Sequence, residues 1–333
     1  MSLYKKLSIS RLTLALVAAI TTVTCGPTMA ESADSYPSHS VRVLVPAPPG
    51  GTNDIVARIV SKHLSQVLGQ SFFVDNRGGG NGAIAAQDAA RAKPDGYTIL
   101  ISYSGVLAVN ESLVDHPSYD VEKDFAPISL LAEVPIVLVA NSSVPSQDLK
   151  QFVAYVKSKP GKINMAIPVI GSMHHLLTEQ LKLNEQLNVG LIPYQGSGPA
   201  IRDLLGGYTN AHFDNLPAVI SNIQAGSLHA LAVTSTERQP LLPKVATVAE
   251  QGFPYLTSTP WFALVVPKDT PQAIQQKLHD TVVAILKTPE VKEEMNRLGA
   301  APRWSTQAET LTFINGERVK WRAVIKAAHV ETH

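Results

Sequence analysis

At 333 residues, against roughly 150 per domain, the chain has room for about two domains. Hydrophobic residues make up 45%, which excludes wholesale disorder, and 28 basic against 27 acidic residues leave a net charge of +1, which argues against a dedicated nucleic-acid binder. A single cysteine excludes a disulfide framework and a cysteine-rich metal site within the chain.

The first thirty residues read as a secretory signal peptide. Lys5, Lys6 and Arg11 open it, Leu12 to Val23 is an uncharged run of twelve residues, and Thr28-Met29-Ala30 supplies small residues at −3 and −1 of a cleavage site. The run is short for a membrane-spanning helix. Cys25 is preceded by Thr22-Val23-Thr24, which lacks the Leu at −3 and the Gly or Ala at −1 of a lipidation site. Removal of 1–30 takes 28 basic residues to 25 against 27 acidic, a net charge of −2, and leaves no cysteine. A thiol-free chain suits an oxidising compartment.

Strands and helices then alternate. Val41 to Val45 is a β-branched strand. A Pro- and Gly-rich turn follows, and Ile55, Val56, Ile59, Val60, Leu64 and Leu68 recur at helical spacing until Gly69 closes the helix. Phe72 to Val74 is strand-like, Ala83 to Ala92 helical, and Tyr97 to Tyr103 a strand after the turn Pro94-Asp95-Gly96. Ile136 to Ala140 is a strand, and Ser146 can cap the next helix. Ile163 to Ile167 leads through Gly171-Ser172 into a helix reaching about Leu187. Short strands at Val189 to Ile192 and His212-Phe213 flank a helix at Ala200 to Leu205. Strands at Leu228 to Thr234 and Trp261 to Val266, then helices at Thr270 to Leu286, Pro289 to Leu298 and Ala308 to Ala327, complete the chain. The alternation predicts an α/β architecture with mostly parallel sheets. With no flexible linker, two lobes must be joined by extended strands. Leu130 to Ala140 and Thr259 to Pro267 are the candidates, giving one lobe from 31–133 plus 260–333 and a second from 134–259.

The loops between strand ends and helix starts carry the chemistry. Pro48, Gly50, Gly51, Thr52 and Asn53 form a glycine-rich entry to the first helix. Free N–H groups and the partial positive charge of a helix start can hold an anion without a cationic side chain. Gly171 and Ser172 repeat that layout in the other half. Both are equally compatible with plain turns, Thr52, Asn53 and Ser172 being ordinary caps. Asp54 either stabilises its helix, points into a cleft to hold a water or a ligand ammonium, or pairs with Arg58 four residues on. His174 is a candidate donor to a ligand or a partly buried structural histidine, and His175 can share a helix face with Glu179. Tyr194, Gln195 and Ser197 enter another helix, and Asp214 or Asn215 caps a further one. Ser104 and Asn110 are additional polar candidates. Tyr103, Trp261 and Phe262 are aromatic ones, for a ligand body or for the core.

Several motifs point elsewhere, but weakly. Gly78-Gly79-Gly80-Asn81-Gly82-Ala83 contains G-x-G-x-x-A after a strand, but no acid ends the next strand, so nicotinamide binding is disfavoured. G-x-S-x-G, G-x-x-x-x-G-K-[ST] and H-E-x-x-H do not occur, and His116, His212 and His229 have no metal-ligand spacing. No cofactor and no metal are expected.

In order along the chain, the segments Pro46-Ala47-Pro48-Pro49-Gly50-Gly51-Thr52-Asn53-Asp54-Ile55-Val56-Ala57-Arg58, Val74-Asp75-Asn76-Arg77, Pro94-Asp95-Gly96-Tyr97-Thr98, Pro193-Tyr194-Gln195-Gly196, Asp203-Leu204-Leu205-Gly206-Gly207, Phe213-Asp214-Asn215, Leu231-Ala232-Val233-Thr234 and Val248-Ala249-Glu250-Gln251-Gly252 resemble the Bug family, periplasmic solute receptors of tripartite tricarboxylate transporters. The resemblance implies a two-lobed, type II Venus-flytrap binding protein that closes on a small organic carboxylate and delivers it to integral membrane transporter subunits. It implies contacts from the loop of Pro48, Gly50, Gly51, Thr52, Asn53 and Asp54 on one lobe, beside which Ser104 is a further candidate. From the other it implies the helix start with Gly171, Ser172, His174 and His175, and the loop residues Tyr194, Ser197, Asp214 and Asn215 are further candidates. The family's first loop commonly ends Gly-Gly-x-x-Asp, matched by Gly50, Gly51 and Asp54. Its second often reads Gly-x-Gly-Ser-x-x-His, where Val169 replaces the first glycine and His174 is an addition. With no arginine in the loops, an aromatic or aliphatic mono- or dicarboxylate fits better than a tricarboxylate. The expectation is a monomeric, non-enzymatic receptor with no nucleic-acid partner. The alternatives are a secreted serine hydrolase using Ser172 or Ser197, or a ligand sensor adaptor for a membrane kinase.

Overall fold

The computed structural model describes residues 34–114, 116–194 and 196–328. The expected signal peptide, Cys25 and Gln195 lie outside the described residues. In chain order the elements are β1 (Val41–Val45), α1 (Thr52–Leu68), β2 (Phe72–Asn76), α2 (Ala83–Ala90), β3 (Thr98–Tyr103), α3 (Val121–Asp124), β4 (Phe125–Glu133), β5 (Ile136–Asn141), α4 (Leu149–Ser158), β6 (Asn164–Ile167), α5 (Met173–Glu185), β7 (Gly190–Pro193), α6 (Ser197–Leu205), β8 (Ala211–Asn215), α7 (Leu216–Gln224), β9 (Leu228–Val233), β10 (Trp261–Pro267), α8 (Gln272–Lys287), α9 (Pro289–Asn296), β11 (Ala301–Pro302) and α10 (Gln307–Ala328).

Two sheets result, one per lobe. The first has strand order β11-β4-β10-β3-β1-β2, the second β7-β6-β8-β5-β9. The sheets are mixed rather than mostly parallel. β1, β2 and β3 run parallel, but β10 is antiparallel to both β3 and β4. β6, β7 and β8 run parallel, but β5 is antiparallel to β8 and β9. Two of the exceptions, β5 and β10, follow a crossing between sheets; the third, the two-residue β11, pairs antiparallel with β4. β4 leaves the first sheet into β5 of the second, and β10 returns. A strand arriving from the other lobe is free of the right-handed crossover that makes consecutive strands parallel.

Local chemistry sets the ends of the elements. α1 stops at Gly69, which takes the left-handed conformation (φ 72°) and donates its N–H to the Ser65 carbonyl. α4 is capped by Asp148, whose carboxylate accepts from Gln151 N, and not by Ser146. An aspartate at the position directly before the helix outcompetes a serine three residues upstream.

One core lies between the first sheet and α1, α8 and α9, with Val43, Val60, Leu64, Ile101, Leu264 and Leu278 all buried. A second runs continuously from the other face of that sheet to α4 and α5 and includes Phe152, Leu177, Phe213 and Trp321. α10 spans it: Glu317 accepts from the indole N–H groups of Trp261, at 3.3 Å, and Trp321, at 3.0 Å. Trp261 and Phe262 are buried core residues, and Trp261 packs edge-on against Phe313. Among the described residues no helix is long and apolar enough to cross a membrane.

Candidate functional site

Because β1, β2 and β3 are parallel, their C-terminal ends, Val45, Asn76 and Tyr103, share one edge of the first sheet. The C-terminal ends of β6, β7 and β8, namely Ile167, Pro193 and Asn215, share one edge of the second. Open α/β sheets bind ligands at such edges. The Asn81 amide, in the turn after β2, donates to the Ile170 carbonyl, in the turn after β6, at 3.2 Å. That hydrogen bond links the turn after β2 to the turn after β6, beside the two sheet edges.

On the first lobe, the 46–51 loop is fixed from beneath by Asp54. This buried carboxylate accepts from Gly50 N at 2.8 Å, Arg58 Nε at 2.9 Å and Asn76 Nδ2 at 3.0 Å. Burial pushes its pKa up, but Arg58, the Gly50 N–H and Asn76 outweigh that and hold it below the usual carboxylate range. Of the three roles open to Asp54, the pairing with Arg58 is therefore present. Gly50 is left-handed (φ 84°) with open space around it, and Gly51 precedes Thr52, the first residue of α1. Pro48 packs on Gly78 of the next loop. Asn53 is buried. Its amide lies 3.5 Å from the Ile101 carbonyl, and its Oδ1 has no partner. Ser104 is buried where β3 passes into a π-helical turn, Gly105–Val109.

On the second lobe, Gly171 (φ 78°) donates its N–H to His175 Nδ1 at 3.0 Å, so that ring carries its proton on Nε2, 3.7 Å from Glu179 Oε1. His175 therefore serves the turn, as Asp54 does on the first lobe. Ser172 caps α5 by accepting from His175 N. His174 is half-buried. Its Nε2 lies 3.3 Å from Asn215 Oδ1, its Nδ1 is closed to solvent without a partner, and burial lowers its pKa. Tyr194 donates to Asp203 at 2.7 Å, and burial together with that carboxylate pushes its phenol up to about 12.

Asp214 is fully buried and completely occupied. Oδ2 faces His212 Nε2 at 2.8 Å, while Oδ1 accepts from Ser197 Oγ at 2.9 Å and Asn215 N at 2.8 Å. His212 Nδ1 lies 3.0 Å from the Ala166 carbonyl, which can only accept, so Nδ1 donates. Burial pushes Asp214 up, but the charge and hydrogen bond of His212, the charge of His174 and the Ser197 hydroxyl together hold it low. Asp214 thus ties the starts of α6 and α7 to the sheet. Asn215 is the residue before α7 but makes no side-chain cap bond; its Oδ1 is with His174.

The sequence reading passed over three residues. Asn76 holds Asp54, and the sequence offers no local signal for a partner 22 residues away. His212 was visible only as a scattered histidine, although its spacing of two from Asp214 puts both on one face of a strand. Asn81 sat within a rejected nucleotide motif. Among the described residues no cluster of three or more potential metal ligands occurs.

Two mixed α/β lobes with opposed, glycine-turned strand ends define a periplasmic solute-binding protein by fold. The chain belongs to the Tripartite tricarboxylate transporter family receptors (TctC), whose pattern matches residues 56–330. It is 39% identical to protein BugT of Bordetella pertussis over 93% of this chain and 95% of that one. An R. palustris protein solved with adipate superposes with a TM-score of 0.83 at 34% identity, covering 89% of this chain and 99% of that one. MatC of Rhodopseudomonas palustris, solved with bound malate, gives 0.77 at 29% identity over 87% and 100%.

Proposed function

We propose that this protein is a periplasmic receptor that captures a small organic carboxylate between its lobes, 31–133 with 260–333 and 134–259, and hands it to a tripartite permease. The observation that carries this is the Asn81–Ile170 hydrogen bond, which joins the turns after β2 and β6 at the same strand ends that carry the glycine-turned helix starts Gly50-Gly51 and Gly171-Ser172. Helix starts supply aimed N–H dipoles, so an anion can bind a chain of nearly neutral charge. Neither loop contains an arginine. Relatives solved with adipate and malate favour an aliphatic dicarboxylate. The ligand closes the lobes by favouring the closed state, and the permease reads closure.

The hydrolase alternative finds no support in the hydroxyls. Ser172 Oγ accepts a backbone N–H and Ser197 Oγ donates to Asp214, so neither meets an imidazole.

A thermal-shift screen of L-malate, succinate, adipate, phthalate and citrate tests the reading. One dicarboxylate at a hundred times its Kd is expected to stabilise the protein by about 2.7 kcal/mol. A panel that shifts nothing, or ester turnover that disappears in Ser172→Ala, would sink it. The two-loop clamp has its own test in Gly50→Val and Gly171→Val. Each forces a branched side chain into a left-handed position, with a strain of about 1–2 kcal/mol. The variants are expected to remain folded yet bind the cognate acid at least about tenfold more weakly. Unchanged affinity by titration calorimetry in both discards the clamp.

A further inference from the structure

The glycine-rich turn after β2 is a strained piece of backbone. Gly79, Gly80, Asn81 and Gly82 have φ of 110°, 54°, 52° and 90°, four consecutive residues on the left-handed side. A side chain at Gly82 would strike Val106 at 2.6 Å and Pro46 at 2.9 Å, so the turn is packed tightly onto the first lobe. Asn81 is one of two non-glycine residues with positive φ among the described residues. Its carbonyl is clamped twice, by Asn110 Nδ2 at 2.8 Å and Tyr103 Oη at 3.2 Å. Gly105 makes room for that clamp, since a Cβ there would lie 2.5 Å from the Tyr103 ring. The backbone of Asn81 is therefore held by its own lobe, and its side chain is the part left to work. That amide donates to the Ile170 carbonyl in the opposing loop. Unusual backbone conformations persist where the surrounding structure over-determines them, often at clamps and switches.

We infer that Asn81 is a positioning residue, a latch that stabilises the closed arrangement of the lobes by gripping the Ile170 carbonyl, and so sets affinity without touching the ligand. A latch raises the population of the binding-competent state, and apparent affinity scales with that population. Its effect must then be the same factor for every ligand. The acceptor is a backbone carbonyl, so the second lobe contributes shape rather than side-chain identity.

The informative substitution is Asn81→Gly, which keeps the left-handed turn and removes only the amide. Two readouts separate the latch from the receptor reading on which its ligand arm rests. The first needs no ligand. With no cysteine after Cys25, spin labels at Lys93→Cys and Lys162→Cys, exposed positions on the two lobes, report the interlobe distance in the secreted protein. The short-distance population of the ligand-free protein is expected to fall in Asn81→Gly. A population identical in the two proteins, or a parent without one, overturns the latch. The second readout titrates L-malate and adipate. Asn81→Gly is expected to weaken both by one common factor of about five to ten, through faster dissociation. Unchanged affinity, or factors that differ between the two acids, overturns the latch. Should neither acid bind the parent protein, the receptor reading has failed for this ligand class, and the distance measurement alone decides the latch.

Discussion

Asp214→Ala is expected to destabilise the protein by about 3–5 kcal/mol, a large share of the roughly 5–15 kcal/mol that holds a typical domain folded. The size follows from what the substitution strands. His212 is fully buried, with Nδ1 on the Ala166 carbonyl and Nε2 on Asp214, so without Asp214 a buried ring nitrogen is left with no partner. Ser197 Oγ and Asn215 N lose their acceptor at the same time, freeing the starts of α6 and α7 from the edge of the sheet. His212→Leu is expected to cost a comparable amount, because it leaves a buried carboxylate unpaired. Urea unfolding of both variants measures this. A loss below about 1 kcal/mol in Asp214→Ala would show that the pair contributes little net stability, as well-packed apolar replacements of buried ion pairs sometimes reveal.

The same carboxylate shapes the acid limb of stability. Its pKa lies below the ordinary 3.8 in the folded protein and near it in the unfolded chain. The unfolded state therefore binds the proton first as pH falls. The contribution of Asp214 is complete above about pH 4 and drains away as pH drops through the folded pKa. Asp54, held low by its own partners, adds to the trend in the same window. Urea midpoints of Asp214→Asn are expected to fall less steeply below about pH 4 than those of the parent. Parallel curves for the two proteins would remove Asp214 from the acid response.

Hydrophobic spacing made the alternation of strands and helices legible. Ile55 through Leu68, closed by Gly69, becomes α1 almost as spaced. Strand direction was not legible, because a period of two is the same for parallel and antiparallel neighbours. The reversal of β5 and β10 depends on which lobe the chain has just left. The candidate loops were readable from glycine, proline and capping residues, since those needs are local. What holds the loops was only half readable. Arg58 stands one helical turn from Asp54 and could be paired on spacing alone, whereas Asn76 arrives from β2. Asn81 shows how composition misleads. A glycine run that matches a weak dinucleotide fingerprint holds Asn81 at φ 52°, with its amide on the Ile170 carbonyl.

Removing Asp54 is the second large perturbation, and its effects on stability and binding have one cause. The carboxylate is buried, with side-chain exposure of 4%, and gathers the Gly50 N–H, Asn76 and Arg58. Asn76 also donates to the Ala47 carbonyl at 3.0 Å, so the loop is held at both ends by two side chains from neighbouring elements. Asp54→Ala is expected to cost about 2–3 kcal/mol, the range for losing hydrogen bonds to a charged group. It also leaves the 46–51 loop to be ordered by the ligand, and that ordering is subtracted from binding. Affinity for the cognate acid is expected to fall by about ten- to a hundredfold. Arg58→Ala separates pinning from charge. The Arg58 side chain is 55% exposed, and the ion pair is correspondingly screened, so its loss is expected to cost less than about 1 kcal/mol and to change affinity little. Asn76→Ala should fall between the two, since it frees the Ala47 carbonyl but leaves the Gly50 contact in place. Calorimetric affinities in the order Asp54→Ala weakest, Asn76→Ala intermediate and Arg58→Ala near the parent match a loop pinned by geometry. An Arg58→Ala loss as large as that of Asp54→Ala would mean that the positive charge itself attracts the carboxylate, and the backbone-dipole account of this lobe would fail.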